Sequence, residues 1–299
     1  MKNYDLFGEE IKNKNKLSDT YIIPPFSIFD TQVGDWQQRK NKWKDLGIKS
    51  EVGRDAECNV KTMSGLSAEE YKIRYGKTPM SGTSIFDPVL CEILYSWFCR
   101  ENGNILDPFA GGSVRGVVAN YLDYHYTGIE LREEQVLSNQ TQGLDIVPNN
   151  IPEWITGDSN KELDKMDRMF DFIFSCPPYY DLEIYCDDPD DLSNMQYNQF
   201  NKVYEEIIYK SCKVLKNNSF ACFVVGNCRD KDGYLMDLVG NTIRAFEKAG
   251  LKLYNDIILR NAYGTAMLRA ANTMKYKKVV KVHQNILVFC KGNPKEFIE

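Results

Sequence analysis

The sequence predicts an α/β fold, with a doubly wound, mostly parallel sheet of seven strands and an irregular N-terminal arm. Short apolar runs alternate along the chain with longer segments whose apolar residues recur at helical spacing. Two of these runs are followed directly by loops rich in glycine or proline, at residues 107–113 and 175–179. Ligands of such sheets bind at the carboxyl ends of the strands, so the two loops predict where a site lies.

The predicted elements begin with a helix and continue with alternating strands and helices. The first helix covers residues 87–100, with Asp87 as its N-cap and Pro88 at its first position. Strands are predicted near residues 104–107, 125–129, 153–156, 171–175, 219–226, 251–260 and 284–290. Helices are predicted near residues 113–122, 132–142, 198–215 and 234–249. The last two strands have no helical pattern between them, which predicts an antiparallel hairpin at the sheet edge.

Residues 1–80 form the predicted arm, and residues 81–299 form the main domain. The arm contains Pro24-Pro25 and many lysines but little periodic apolar pattern. Residues 36–44 are an exception, because Trp36, Lys40 and Trp43 would share one side of a short helix. This helix either contacts the backbone of a nucleic acid or covers the sheet.

Composition restricts the class of protein. A net charge of -5 excludes a wholly basic surface, so any contact with nucleic acid must be local. The nine cysteines are scattered without a Cys-x-x-Cys pair, which argues against a disulfide framework or a zinc site. No apolar run approaches the roughly eighteen residues of a membrane helix. We therefore expect a protein of the reducing cytoplasm that uses neither a membrane nor a metal.

Two motifs resemble a known family. Residues 107–111 (Asp-Pro-Phe-Ala-Gly) and 176–179 (Cys-Pro-Pro-Tyr) resemble the signature pair of class I S-adenosylmethionine-dependent methyltransferases that modify exocyclic amines of adenine or cytosine in DNA. The likeness extends over about residues 83–291, and the runs at 24–28 and 84–88 resemble small DNA methylases of phages and prophages. It implies a Rossmann-like methyltransferase domain with an inserted antiparallel seventh strand, S-adenosyl-L-methionine as cofactor, DNA as substrate and a place in restriction-modification.

The predicted cofactor site lies at three successive strand ends. Gly111 and Gly112 let the chain turn into a helix whose N-terminal amides would face the methionine carboxylate. Glu130 would accept the ribose hydroxyls, and Asp158 would accept the adenine amine. NAD is the rival ligand, but the first loop lacks Gly-x-Gly-x-x-Gly and has Ser113 where the family has its last glycine. The resemblance adds Asp107 near the methionine amino group, with Phe86, Asp87, Pro88, Pro108, Phe109 and Ser159 around it.

The predicted target-base site is the second loop. By resemblance, the Pro177 carbonyl would accept from the amine, Pro178 would fix the turn and Tyr179 would stack on a flipped base, assisted by Tyr180. Cys176 departs from the family, which has Asp, Asn or Ser there, so Ser175 or the backbone would supply the missing acceptor.

Three further functions remain open. Cys176 could instead be the nucleophile of a cytosine carbon-5 methyltransferase or simply a buried thiol. The substrate could be an RNA base, or the chain could be an inactive DNA-binding relative.

Residues 258–282 are the predicted nucleic-acid contact. They contain six cations and no acid, with tyrosines between them, and the alternative is a solvated loop. The acidic run at 181–191 predicts a lid over the base pocket, with a metal site or a helix cap as alternatives. The cations are Arg260, Arg269, Lys275, Lys277, Lys278 and Lys281.

Overall fold

The computed structural model describes residues 17–48, 86–179, 191–264 and 266–297. Their strands are β1 (Ile28–Asp30), β2 (Asn104–Asp107), β3 (His125–Glu130), β4 (Glu153–Thr156), β5 (Phe170–Ser175), β6 (Leu215–Val225), β7 (Cys228–Arg229), β8 (Leu235–Met236), β9 (Lys252–Arg260) and β10 (His283–Lys291). Their helices are α1 (Leu17–Tyr21), α2 (Gly34–Asp45), α3 (Pro88–Phe98), α4 (Val114–Tyr121), α5 (Glu133–Ile146), α6 (Ser159–Glu162), α7 (Tyr197–Lys213), α8 (Leu238–Lys248) and α9 (Ala266–Met274).

The described residues form one mostly parallel sheet of eight strands in the order β1-β9-β10-β6-β5-β2-β3-β4. Only β10 runs antiparallel to its neighbours, β6 and β9. Strands β7 and β8 form a separate two-stranded ribbon. The doubly wound α/β fold that the sequence predicts is therefore confirmed, including the inserted antiparallel strand, and the sheet has one strand more than expected.

Helices cover both faces of this sheet because successive side chains of each strand point to opposite sides. Phe172 and Phe174 of β5 pack in the core that holds α2, α3 and α4. Ile173, between them in sequence, packs in the other core, against α7 and α8. A strand that is buried on both faces has no polar alternation, and all six residues of β5 are buried.

Strands β9 and β10 pair antiparallel, as predicted, but the connection between them and their place in the sheet differ from the predicted edge hairpin. Helix α9 lies between the two strands along the chain, and β10 lies inside the sheet instead of at its edge. The helix was missed because its apolar stripe, with Met267, Ala270 and Met274 at helical spacing, is short and lies among cations, and only Ala266 is buried. Its apolar side chains face solvent instead.

The N-terminal segment also differs from an irregular arm. Strand β1 pairs in parallel with β9 and becomes the edge of the sheet. The predicted helix around residues 36–44 is confirmed as α2, and its Trp36 and Trp43 are buried. The two tryptophans of α2 thus belong to the hydrophobic core on one face of the sheet. The division near residue 80 stays a prediction, because residues 49–85 lie outside the described ranges.

Helix α2 is fixed to α3 by polar contacts at its buried side. Trp43 Nε1 donates to Glu92 Oε2 at 3.0 Å, and Arg39 forms an ion pair with the same carboxylate. Trp43 also meets the ring of Tyr121 edge-on, with centroids 5.1 Å apart. The buried charge of Glu92 is compensated entirely from α2, so the two helices stabilise each other.

Replacing Trp43 by alanine is expected to lower the free energy of unfolding by about 3–5 kcal/mol, because it leaves a large cavity and removes one of the donors to the buried Glu92 carboxylate. Denaturant titration followed by circular dichroism measures the change. Leu137→Ala, on the exposed side of α5, is the control and should cost less than about 0.5 kcal/mol. Equally small effects at both positions would contradict the docking of α2.

Candidate active site

A cavity of about 670 Å³ lies at the carboxyl ends of β2, β3, β4 and β5. It brings the two predicted loops together, as expected for the ligand-binding edge of a doubly wound sheet. The predicted site residues that line it are Phe86, Asp87, Pro108, Phe109, Gly111, Gly112, Glu130, Asp158, Ser159, Cys176, Pro177, Pro178 and Tyr179.

The glycine turn between β2 and α4 forms one wall of this cavity. Gly111 has a φ of 53°, a left-handed conformation that glycine adopts without strain. Its amide donates to Glu130 Oε2 at 2.9 Å, and its carbonyl accepts from Asn139 at 2.7 Å. Gly128 lets β3 pass close to the turn, because a Cβ there would lie 2.8 Å from that of Ala110. The turn is thus held by its neighbouring strand and by α5.

Acidic side chains end β3 and β4 at the same wall. Glu130 accepts from the Arg132 amide at 3.0 Å, while Asp158 caps α6 by accepting from the Asn160 amide at 2.9 Å. Ser159 donates to the Pro108 carbonyl at 2.5 Å, which joins α6 to the first loop. These backbone contacts hold both carboxylates at the cavity wall, where Arg132 lies 3.9 Å from Glu130 and Lys161 lies 3.5 Å from Asp158.

The N-terminal segment completes the cavity. Asp87 caps α3, accepting from the Val89 amide at 3.0 Å, and also accepts from Lys40 Nζ at 2.8 Å and Trp36 Nε1 at 3.1 Å. Both charged groups, Asp87 and Lys40, line the cavity. An ion pair at the wall offers one acceptor and one cation to a ligand that carries both signs of charge.

Asp107 does not reach the cavity. It is fully buried beneath the turn, with its Oδ2 accepting from Arg115 Nε at 2.5 Å and from the Tyr126 hydroxyl at 2.8 Å. Its Oδ1 accepts from Ser175 Oγ at 2.5 Å and from the Phe109 amide at 3.1 Å. Contact between Asp107 and a methionine amino group, as the resemblance implies, does not fit this geometry, because protein donors already surround the carboxylate.

Arg115 is the counterion of Asp107 and was not predicted. It donates to the carbonyls of Phe109 and Ala110, at 2.6 and 2.7 Å, and lies 4.6 Å from the centre of the Phe86 ring. Burial alone would lower the pKa of Arg115, but the adjoining Asp107 carboxylate raises it above its usual value. The guanidinium therefore stays charged while it fastens the turn from below.

The Tyr126 hydroxyl is the neutral donor in the same cluster. Burial raises its pKa, and the Asp107 charge adds to the effect. The hydroxyl therefore remains protonated and keeps donating to the carboxylate across the ordinary pH range.

The proline turn forms the opposite wall. The Tyr179 hydroxyl accepts from Gln284 Nε2 and lies 3.4 Å from the Val224 carbonyl and 3.7 Å from Cys176 Sγ. Ser175 lies behind the turn, fully buried with its hydroxyl donated to Asp107, so it does not line the cavity. The expectation that Ser175 or the backbone replaces the missing acceptor stays a prediction.

Other predicted residues lie away from the cavity or outside the described ranges. Pro88 occupies the first turn of α3, as predicted, but does not line the cavity. None of the six predicted cations lines it either. Arg260 is paired with Asp30 of β1, 5.0 Å from the Tyr263 ring centre. Tyr180 and residues 181–190 lie outside the described part of the chain.

Several lining residues were not predicted as site residues from the sequence. Lys40 was expected only on the surface of the N-terminal helix, and Arg115 follows the glycine turn without any family motif of its own. Gln284 stands at the start of β10, where polar residues interrupt an apolar strand, which is a weak signal. The polar and charged residues among them are Thr31, Gln32, Lys40, Arg115, Arg132, Gln135, Asp191, Asn261 and Gln284.

The described residues contain no group of three or more His, Cys, Asp or Glu side chains that could hold a metal ion. Among the same residues, no helix has the length and apolar character needed to cross a membrane.

Comparison with known proteins gives matches to solved structures only. No protein-family model matches the sequence, and no curated protein matches it. Similar structures include TrmN from Thermus thermophilus, with 14% identity, 69% of this chain covered and a TM-score of 0.46. The chain spans about half, 49%, of that protein's length.

Two further matches cover more of the other chain. Precorrin-6y C5,15-methyltransferase from Geobacter metallireducens is 14% identical, with a TM-score of 0.46. The match covers 71% of this chain and 92% of that protein. Magnesium protoporphyrin IX methyltransferase from Synechocystis, solved with bound SAM, has 9% identity, 82% and 98% coverage and a TM-score of 0.44. The strand order, with β10 antiparallel between β6 and β9, is that of a Rossmann-like class I methyltransferase fold.

Asp107→Asn is expected to lower the free energy of unfolding by about 3–5 kcal/mol, because it leaves the buried Arg115 without its counterion. The same substitution at Asp158, a cap at the cavity surface, is the matched control and should cost about 1 kcal/mol or less. Urea titration of both variants gives the comparison. A loss below about 1 kcal/mol at Asp107 would show that the buried cluster does not stabilise the site.

Proposed function

We propose that this protein transfers a methyl group from S-adenosyl-L-methionine to the exocyclic amine of adenine (N6) or cytosine (N4) in DNA. The supporting observation is that two chemically different walls meet in one cavity. One wall has the turn at residues 111–112 with Glu130 and Asp158, and the other has the turn at residues 177–179. A donor and an acceptor bound against these walls would lie side by side, which direct transfer requires.

The first wall fits the nucleoside part of the cofactor. Glu130 would accept the ribose hydroxyls, and Asp158 would accept the adenine amine. The N-terminal amides of α4, which begins just after the glycine turn, favour an anionic group nearby. When bound, S-adenosyl-L-methionine supplies an electrophilic methyl group on a sulfonium.

The Lys40–Asp87 ion pair fits the amino-acid part. A methionine end carries an ammonium and a carboxylate, and the two side chains present the complementary charges 2.8 Å apart at the cavity wall. Asp87 would thus take the role that the resemblance gives to Asp107. The N-terminal segment, which supplies Lys40, would then be part of the cofactor site.

The second wall fits an extruded base. An exocyclic amine is a weak nucleophile, because its lone pair is delocalised into the ring, so acceptors must draw its hydrogens out of the ring plane. The Pro177 carbonyl is the acceptor proposed here, since the Ser175 hydroxyl donates to Asp107. The Tyr179 ring, held through its hydroxyl by Gln284, would stack on the flipped base.

The cations of residues 258–282 are proposed to contact phosphates. Arg260 is already paired with Asp30, and burial lowers the pKa of the half-buried Lys281. The remaining four, on and directly after α9, are better placed for an external polyanion. The likeness of residues 24–28 and 84–88 to phage DNA methylases supports DNA as that polyanion and a role in restriction-modification.

Nucleoside mass spectrometry tests the proposed function. DNA and RNA from cells that express the protein are compared with nucleic acids from cells that express Tyr179→Ala, and N6-methyladenine or N4-methylcytosine is expected in wild-type DNA only. Methylated nucleosides confined to RNA would replace the proposed substrate by RNA. An absence of new modification, with DNA binding retained, would identify an inactive relative.

In purified protein, Tyr179→Ala is expected to slow transfer by about fivefold to 150-fold, because one base–aromatic stack is worth about 1–3 kcal/mol. Tyr179→Phe keeps the ring and loses the contacts of its hydroxyl, including the one with Gln284, so it should stay within a few-fold of wild type. Single-turnover transfer of a radiolabelled methyl group measures both rates. Unchanged transfer by the alanine variant would mean that the base does not lie on this ring.

Cys176→Ser is expected to keep or raise activity, because a hydroxyl accepts hydrogen bonds better than a thiol in an amine-directed site. The rival chemistry, attack of the thiolate on carbon 6 of cytosine before methylation at carbon 5, predicts complete loss instead. Wild-type protein would then also form a covalent adduct with 5-fluorocytosine DNA, visible on a denaturing gel.

A further inference from the structure

Helix α9 exposes its apolar side chains to solvent. Met267 and Leu268 are 76% and 77% exposed, and only Ala266 of the helix is buried. Tyr276, just beyond its end, is 84% exposed. Contiguous apolar surface of this kind on a folded protein usually marks a place where another molecule binds.

A shallow groove of about 290 Å³ runs along the same helix and the segment that follows it. Its walls are almost wholly apolar, with one lysine at the rim. The lining residues are Tyr263, Ala266, Met267, Ala270, Met274, Lys278, Val279, Val280 and Val282.

The charge of this surface is one-sided. Residues 261–282 contain four lysines, one arginine and no acid, in a chain whose net charge is -5. Among the described residues, no ion pair is found for Arg269, Lys275, Lys277 or Lys278, in contrast to Arg260. Cations that are not neutralised within the protein favour an anionic partner.

Both ends of the segment are attached at the mouth of the candidate active site. Asn261 and Ala262, which precede it, line the active-site cavity, and so does Gln284, which follows it. Gln284 also holds Tyr179. A partner on α9 would therefore lie directly beside any base that enters the cavity.

We propose that residues 263–282 dock the nucleic-acid strand that flanks the target base, through apolar contact with its bases as well as ionic contact with its phosphates. The proposal rests on the proposed function, because it takes the nucleic acid to be the substrate of the adjoining cavity. The cations hold the phosphates, while Met267, Leu268 and Tyr276 cover base faces that are exposed when the neighbouring base leaves the stack.

Other partners fit the surface less well. A protein interface is usually depleted of lysine, whereas this surface has lysines among its apolar residues. An anionic membrane would accept both the cations and the apolar side chains of α9. It would not account for the attachment of both ends at a cavity built for a small heterocycle.

The test uses the full-length protein and a fluorescein-labelled DNA duplex of mixed sequence. Met267→Ser/Leu268→Ser is expected to weaken binding about tenfold, as loss of contact with one or two bases implies, and to leave the salt dependence unchanged. Lys275→Ala/Lys278→Ala should weaken binding and reduce the slope of log affinity against log salt by about 1–2. Fluorescence anisotropy at several salt concentrations gives both quantities.

Leu137→Ser/Leu144→Ser is the matched control, because both leucines are exposed on α5. It should bind DNA as wild type does. Thermal unfolding of all variants should be equal within a few degrees, since each replaced side chain is exposed or, for Lys278, partly exposed.

Unchanged DNA affinity in Met267→Ser/Leu268→Ser would overturn the proposal. The proposal would also be overturned if this variant lost binding to phosphatidylglycerol vesicles but kept its DNA binding. Conversion of a dimer into a monomer by the same substitutions, measured by sedimentation, would overturn it too.

Failure of this surface and failure of the proposed function are distinguishable, because binding is measured without methyl transfer. If a variant binds DNA and transfers methyl groups as wild type does, the docking surface is rejected and the proposed function is not. If the substitutions abolish DNA binding but the wild-type protein methylates nothing, the docking surface is supported and the proposed function is rejected.

Discussion

The buried carboxylate of Asp107 is the contact on which the arrangement of the site depends. One of its oxygens is held by Arg115 and Tyr126, and the other by Ser175 and the Phe109 amide. Burying an anion is costly unless donors surround it, and here the donors come from β3, α4, the end of β5 and the first loop. A single charge thereby sets the distance between the glycine turn and the proline turn. The two walls of the cavity are thus joined through the core.

The N-terminal segment also contributes to the wall of the cavity. Trp36 and Trp43 insert into the core, and this insertion positions Lys40 against Asp87 at the cavity. Strand β1 then continues the sheet beside β9, which places Thr31 at the same cavity. A segment of little sequence periodicity therefore contributes both to the core and to the proposed binding of the amino-acid end of the cofactor.

The sequence allowed accurate prediction wherever local pattern and burial agree. The strand ends near Glu130 and Asp158 were placed correctly, because each acid follows a short strand with apolar residues and precedes a helix. Prediction failed where tertiary contacts decide: Asp107 and Ser175 look like ligand contacts by motif, yet they bond to each other beneath the cavity. Helix α9 was missed for another reason, since its apolar stripe is short, lies among cations and is exposed instead of packing in the core.

The most direct measurement of the central claim is a crystal structure with S-adenosyl-L-homocysteine. Its ribose hydroxyls are expected within hydrogen-bond distance of Glu130, its adenine amine near Asp158, and its sulfur facing the Pro177 carbonyl across the cavity. Asp107 should keep its contacts with Arg115 and Ser175. A ligand bound away from the glycine turn, or an Asp107 that leaves this cluster to contact the ligand, would contradict the claim that one buried carboxylate holds both walls of the site.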